Sequence, residues 1–178
     1  MSESKEQRFF DAARAGDLSV VKKLAADTTL NVNWQESSQG YTPFSYACWE
    51  GRVSVVQFLL TLPTLDVNKP KDSGATPFYI ACFQGHKEVV SLLLADMRID
   101  VNKPENNQWT PLWIASQNGY LPIVQLILAS GREVDTKTKS IAGTASWNNK
   151  TSAEIARYHG TRAKMEWESE ADYTRMAP

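Results

Sequence analysis

Apolar residues along this chain fall in doublets that return at a fixed interval. Val55-Val56, Val89-Val90 and Ile123-Val124 are spaced by 34 residues, and each is followed by a second doublet, Leu59-Leu60, Leu93-Leu94 or Ile127-Leu128. Doublets three to four residues apart line one side of a short helix. The polar and special positions keep the same interval: Thr42-Pro43, Thr76-Pro77 and Thr110-Pro111, then Ala47, Ala81 and Ala115, then Gly51, Gly85 and Gly119. Self-similarity at this period predicts a solenoid, in which each unit buries its apolar side only against its neighbours.

The residue types predict where each element starts and stops. Thr is a good N-cap and Pro is favoured at the first helical position, so each Thr-Pro opens a helix of about two turns that the following Gly ends. The apolar run after that Gly, such as 53–61, forms a second short helix. Residues 62–74 hold Pro63, Pro70 and Gly74 and cannot continue it. About a dozen non-helical residues per unit leave no room for the two longer helices of a tetratricopeptide repeat, which shares this period.

The unit Gly74-Ala75-Thr76-Pro77-Phe78-Tyr79-Ile80-Ala81-Cys82-Phe83-Gln84-Gly85-His86-Lys87-Glu88-Val89-Val90 resembles the ankyrin-repeat family throughout. The resemblance implies an all-α fold, an α-solenoid of stacked helix-turn-helix ankyrin repeats with projecting β-turn fingers. It covers nearly the whole chain as one domain, 1–178. Residues 1–34 read as an N-terminal capping repeat without Thr-Pro, followed by repeats at 35–68, 69–102 and 103–136. Thr144 continues the interval, but Ala145-Ser146-Trp147-Asn148-Asn149 has no helical apolar period. Thr151, Ala156 and Gly160 restore the offsets seven residues later. Residues 137–150 are therefore expected to be an inserted finger loop, and 151–178 a C-terminal capping repeat and tail, making five helix pairs.

Nineteen Lys plus Arg face twenty Asp plus Glu. Without a basic field to gather phosphates, no nucleic-acid or membrane partner is expected. No run approaches the roughly 18 apolar residues of a membrane span, and residues 1–6 lack the apolar stretch of a signal peptide. An intracellular protein, cytoplasmic or nuclear, is expected.

No GxxxxGK[ST], GxGxxG, HExxH, GxSxG or CxxC motif is present. Glu168 and Glu170 lie in a charged tail and read as a solvated face. Cys48 and Cys82, 34 apart, should be stacked neighbours on successive helices, too far apart for a disulfide and so reduced. By resemblance His86 caps the loop between two helices, and His159 falls in the last such turn; neither has a second His or Cys at ligand spacing. The expectation is a protein with no enzyme activity, no metal and no cofactor.

Binding is the remaining function, on the extended concave side that first helices and fingers share in such arrays. The contacting positions that the resemblance implies are the residue before each Thr and the two before each inter-helix Gly. They are Tyr41, Trp49 and Glu50, then Ala75, Phe83 and Gln84, then Trp109, Gln117 and Asn118. Four of these nine are aromatic, and interface hot spots are enriched in Trp and Tyr. Tyr79 and Trp113, three residues after the Thr, are expected on the same side, with Trp49 stacked over Phe83 and Tyr41 near Ala75 and Trp109. The competing reading is that these rings only fill gaps between repeats. Trp147 in the inserted loop is a further candidate contact.

A monomer binding another protein or peptide is the leading expectation. The alternative is an architectural array that self-associates through Trp49 and Trp109. Asp66-Val67-Asn68 and Asp100-Val101-Asn102 also look like the finger pattern that asparaginyl hydroxylases modify in ankyrin proteins, making Asn68 and Asn102 candidate substrates. The bland alternative is that each Asn bonds its own turn.

Overall fold

The computed structural model describes residues 3–137, and these form eight helices and no strand. The helices come in four pairs: α1 (Lys5–Ala15) with α2 (Leu18–Ala25), α3 (Pro43–Trp49) with α4 (Val53–Leu60), α5 (Pro77–Gln84) with α6 (Lys87–Leu94), and α7 (Pro111–Gln117) with α8 (Leu121–Leu128). First helices stack on first helices and second on second, so the chain builds an inner layer α1, α3, α5, α7 and an outer layer α2, α4, α6, α8. The predicted fifth pair, with Thr144, Thr151 and His159, lies outside the described residues.

Each Thr-Pro does what its chemistry dictates. The hydroxyls of Thr42, Thr76 and Thr110 accept from the backbone N–H of Ser45, Tyr79 and Trp113, and all three threonines are buried. Ser45 completes a reciprocal capping box by accepting from the Thr42 N–H at 2.8 Å. In α1, which lacks Thr-Pro, Ser4 takes over as the cap and accepts from the Gln7 N–H.

The inner helices approach closely because Ala13, Ala47, Cys48, Ala81, Cys82 and Ala115 present no bulk between them, and all are fully buried. Large residues fill the layer beside them: Phe9, Phe44, Phe78 and Leu112 in the inner helices, then Val55, Val56, Leu59 and their equivalents in the outer ones. The two cysteines are free thiols, and burial pushes both well above the usual thiol range, so they stay protonated and act as small apolar residues.

Gly16, Gly51 and Gly85 are explained by the neighbouring unit. Gly51 has φ +66°, and a Cβ there would lie 2.8 Å from the His86 ring. His86 does not cap its own loop, as the sequence led us to expect. Its Nε2 donates to the Trp49 carbonyl at 2.8 Å, one unit back, and its side chain makes no cap bond to α6. Arg52 and Asn118 act alike, donating to the carbonyls of Arg14 (3.0 Å) and Phe83 (2.9 Å). These bonds satisfy carbonyls left open at the ends of inner helices.

The fingers are joined by asparagines. Asn33 donates through Nδ2 to the Thr64 carbonyl and accepts at Oδ1 from the Asp66 N–H. Asn68 repeats this with Arg98 (2.6 Å) and Asp100 (2.8 Å), and Asn102 with Glu133 and Asp135 (both 2.8 Å). The expectation that each Asn merely bonds its own turn is thus corrected: every side chain reaches across to the next finger with both halves of its amide.

Candidate partner-binding surface

The fingers turn the residue before each Thr toward the inner helices, and the Gly at each inter-helix turn leaves the preceding two residues at the helix end. These two constraints gather rings from separate units. The Trp49 and Phe83 rings stack across the α3–α5 junction with centroids 5.9 Å apart at 22°. Phe83 remains 36% exposed and Trp49 is half-buried, so the stack forms a ridge with open edges. Toward α1 the series continues through Tyr41, edge-on to Trp49 at 5.8 Å, to Tyr46 at 5.0 Å from Tyr41, to Phe10 at 5.2 Å, and to Trp34 at 6.0 Å.

Not every expected contact is available. Tyr79 is only 6% exposed and Trp113 1%, so the expectation that their rings face a partner does not hold; Tyr41, at 5%, is open only where it lines the cleft described below. For Tyr79 and Trp113 the reason is register: three residues after an N-cap, a side chain on these helices points into the stack. Tyr41 packs on Trp49 and Tyr46, and not against Trp109 as the interval suggested. Trp109 is half-buried and lies flat on Trp113, centroids 5.0 Å apart at 5°. Glu50, Gln84 and Gln117 are half-buried and Asn118 is exposed, giving the ridge a polar border; Ala75 is buried. Trp147 lies outside the described residues.

Phe10, Trp34 and Tyr46 were missed by the sequence reading. Tyr46 lies one turn before Trp49 and Glu50 on α3, so helical spacing alone could have found it. Arg14 stands two residues before Gly16, the offset that Trp49 has from Gly51. Phe10, Arg14, Tyr41, Tyr46 and Trp49 line a cleft of about 400 Å³ together with the first finger. Arg14 lies over the Tyr46 ring at 5.5 Å and Lys71 over the Tyr41 ring at 4.9 Å.

The finger beside this cleft is held by Glu36. Its Oε1 accepts from the N–H groups of Gln39 (2.9 Å) and Tyr41 (3.1 Å), and its Oε2 from the N–H and hydroxyl of Ser38, both at 2.6 Å. Burial by itself would raise this carboxyl, but the Ser38 hydroxyl and the three N–H donors outweigh it and hold the group down at about 2. Glu105 plays the matching part in a later finger, accepting from the N–H groups of Asn107 and Trp109.

A family profile described as "Ankyrin repeats (many copies)" matches residues 9–60, and one described as "Ankyrin repeats (3 copies)" matches residues 64–138. The chain belongs to the ankyrin-repeat family. No curated protein matches it. Ankyrin repeats are generally protein–protein interaction modules and typically not enzymes. Among the described residues, no three His, Cys, Asp or Glu side chains come together as a metal site, and no helix is long and apolar enough to cross a membrane.

As for Asn68 and Asn102 in this ankyrin array, each uses its whole amide in cross-finger bonds.

Proposed function

We propose that this ankyrin-repeat chain is a non-enzymatic interaction module that binds a partner protein or peptide on its inner face, centred on Trp49 and Phe83. The observation that carries this reading is the half-exposed stack of those two rings. A large aromatic surface left in contact with water, bordered by Glu50, Gln84 and Asn118, has the composition of an interface core with its rim. An interface of standard size takes about 800 Å² from each side, which several stacked units can offer.

The test compares wild type with a Trp49→Ala, Phe83→Ala double variant and a Met97→Ser control, all verified as folded by circular dichroism, in capture from cell extract. Proteins retained by wild type and the control but lost by the double variant support the reading. Equal retention by all three rules out the inner aromatic ridge. Self-association, the other use of such a ridge, predicts a mass that rises with concentration in sedimentation and falls back in the double variant.

A further inference from the structure

The cleft beside the ridge shows which of its polar groups already have partners. Its carboxylates do. Asp11 accepts from Gln7 Nε2 at 2.9 Å, and Glu36 is filled by the four donors of its own finger. At the cleft's outer edge Glu50 pairs with Arg52 at 3.6 Å.

The donors, by contrast, are open. Arg14, which lines the cleft, has no carboxylate within ion-pair distance among the described residues and merely rests on the Tyr46 ring. Tyr41 is 5% exposed and lines the cleft, and its hydroxyl has no hydrogen-bond partner among the described residues. Burial, with smaller contributions from Tyr46 and Glu36, pushes this phenol up to about 12, so it keeps its proton and remains a donor without an acceptor. A nearly buried hydroxyl in that condition costs free energy that an incoming acceptor would recover.

Resting on the interaction-module reading above, we infer that the cleft accepts the carboxylate of an Asp or Glu side chain in a partner peptide. The carboxylate is received by the Arg14 guanidinium and the Tyr41 hydroxyl, while a neighbouring apolar side chain of the peptide lies on the Trp49–Phe83 ridge. A singly charged carboxylate fits better than a phosphate dianion, because Asp11 and Glu36 line the same cleft and repel the second charge. Arg14 is exposed, so the attraction is partly screened and weakens as salt is added.

The experiment selects peptides from a displayed library of random 12-residue sequences against the full chain. The best binder, synthesised with blocked ends, is then titrated by calorimetry against wild type and Arg14→Met, Tyr41→Phe and Trp49→Ala. Met keeps the apolar stem of Arg14 against the Tyr46 ring, and circular dichroism verifies each fold. The expected selection carries an Asp or Glu beside an apolar residue. Arg14→Met and replacement of that acid by its amide each weaken binding by about tenfold, as for loss of one charge-assisted hydrogen bond. The two losses do not add in the double-mutant cycle.

Selected peptides that depend on Trp49 but carry no acid, prefer Lys or Arg, or show additive losses would overturn the inference and leave the interaction-module reading standing. So would tighter binding of a phosphoserine in place of the acid. Failure to select any peptide that depends on Trp49 would remove both.

Discussion

Among the described residues the inner face is finished differently at its two ends, although the same repeating backbone carries both. Around α1 and α3 the rings are linked from unit to unit, from Trp34 and Phe10 through Tyr46, Tyr41 and Trp49 to Phe83. Around α7 the two tryptophans close on each other, Trp109 lying flat on Trp113. The first arrangement leaves open edges and a cleft with charged groups. The second places a buried ring under a half-buried one within a single unit. The difference comes from register. Trp49 sits two residues before an inter-helix Gly, at the helix end facing the next unit, whereas Trp109 sits before an N-cap, against its own helix. Aromatic content in a repeat therefore says little about binding until each ring's position within the unit is known.

Removing a ring from each end should separate stability from recognition. Trp113→Ala empties a fully buried site and should cost about 3–5 kcal/mol of folding stability in urea denaturation. Trp49→Ala should cost much less stability, yet weaken partner binding by at least about 2 kcal/mol in calorimetry. If the two variants lose stability equally, the distinction between an open ridge and a closed pair fails.

A finger variant asks whether the two ends share one scaffold. Asn68→Ala removes a donor and an acceptor that tie adjacent fingers and should lower stability by about 1–3 kcal/mol. One transition in both circular dichroism and tryptophan fluorescence would show that the ends unfold together; two transitions would show that the stack parts at this finger.

The smallest expected effect belongs to Glu36. Its carboxyl lies at about 2 in the folded chain against 4.5 as the ordinary value. The folded value is depressed, so the stability this group adds is fully present above about 4.5 and is lost as pH falls from there toward 2. Glu36→Gln should therefore be less stable than wild type at neutral pH and lose less over that window. Equal acid profiles for the two proteins would remove the assigned role of Glu36.

Sequence legibility followed locality. Thr42, Thr76 and Thr110 were readable as caps because a hydroxyl three residues from the N–H it accepts from is a local arrangement. The fingers were readable because Pro63 and Pro70 forbid helix whatever surrounds them. Trp49 over Phe83 was readable because both occupy the same offset in successive units. What failed crossed that simple periodicity. His86 and Asn68 bond to neighbouring units, Tyr41 turned toward α3, and Phe10 and Tyr46 belonged to the set without sharing an offset with Trp49.

The sequence by itself determined the repeat, its helices and fingers, and the family, because those depend on dihedral preferences and on apolar spacing along the chain. Only the tertiary structure decided which aromatic rings meet water and which donors lack acceptors. Exposure and hydrogen-bond satisfaction depend on side chains from three units meeting at one point, and no spacing within a unit encodes how those side chains turn.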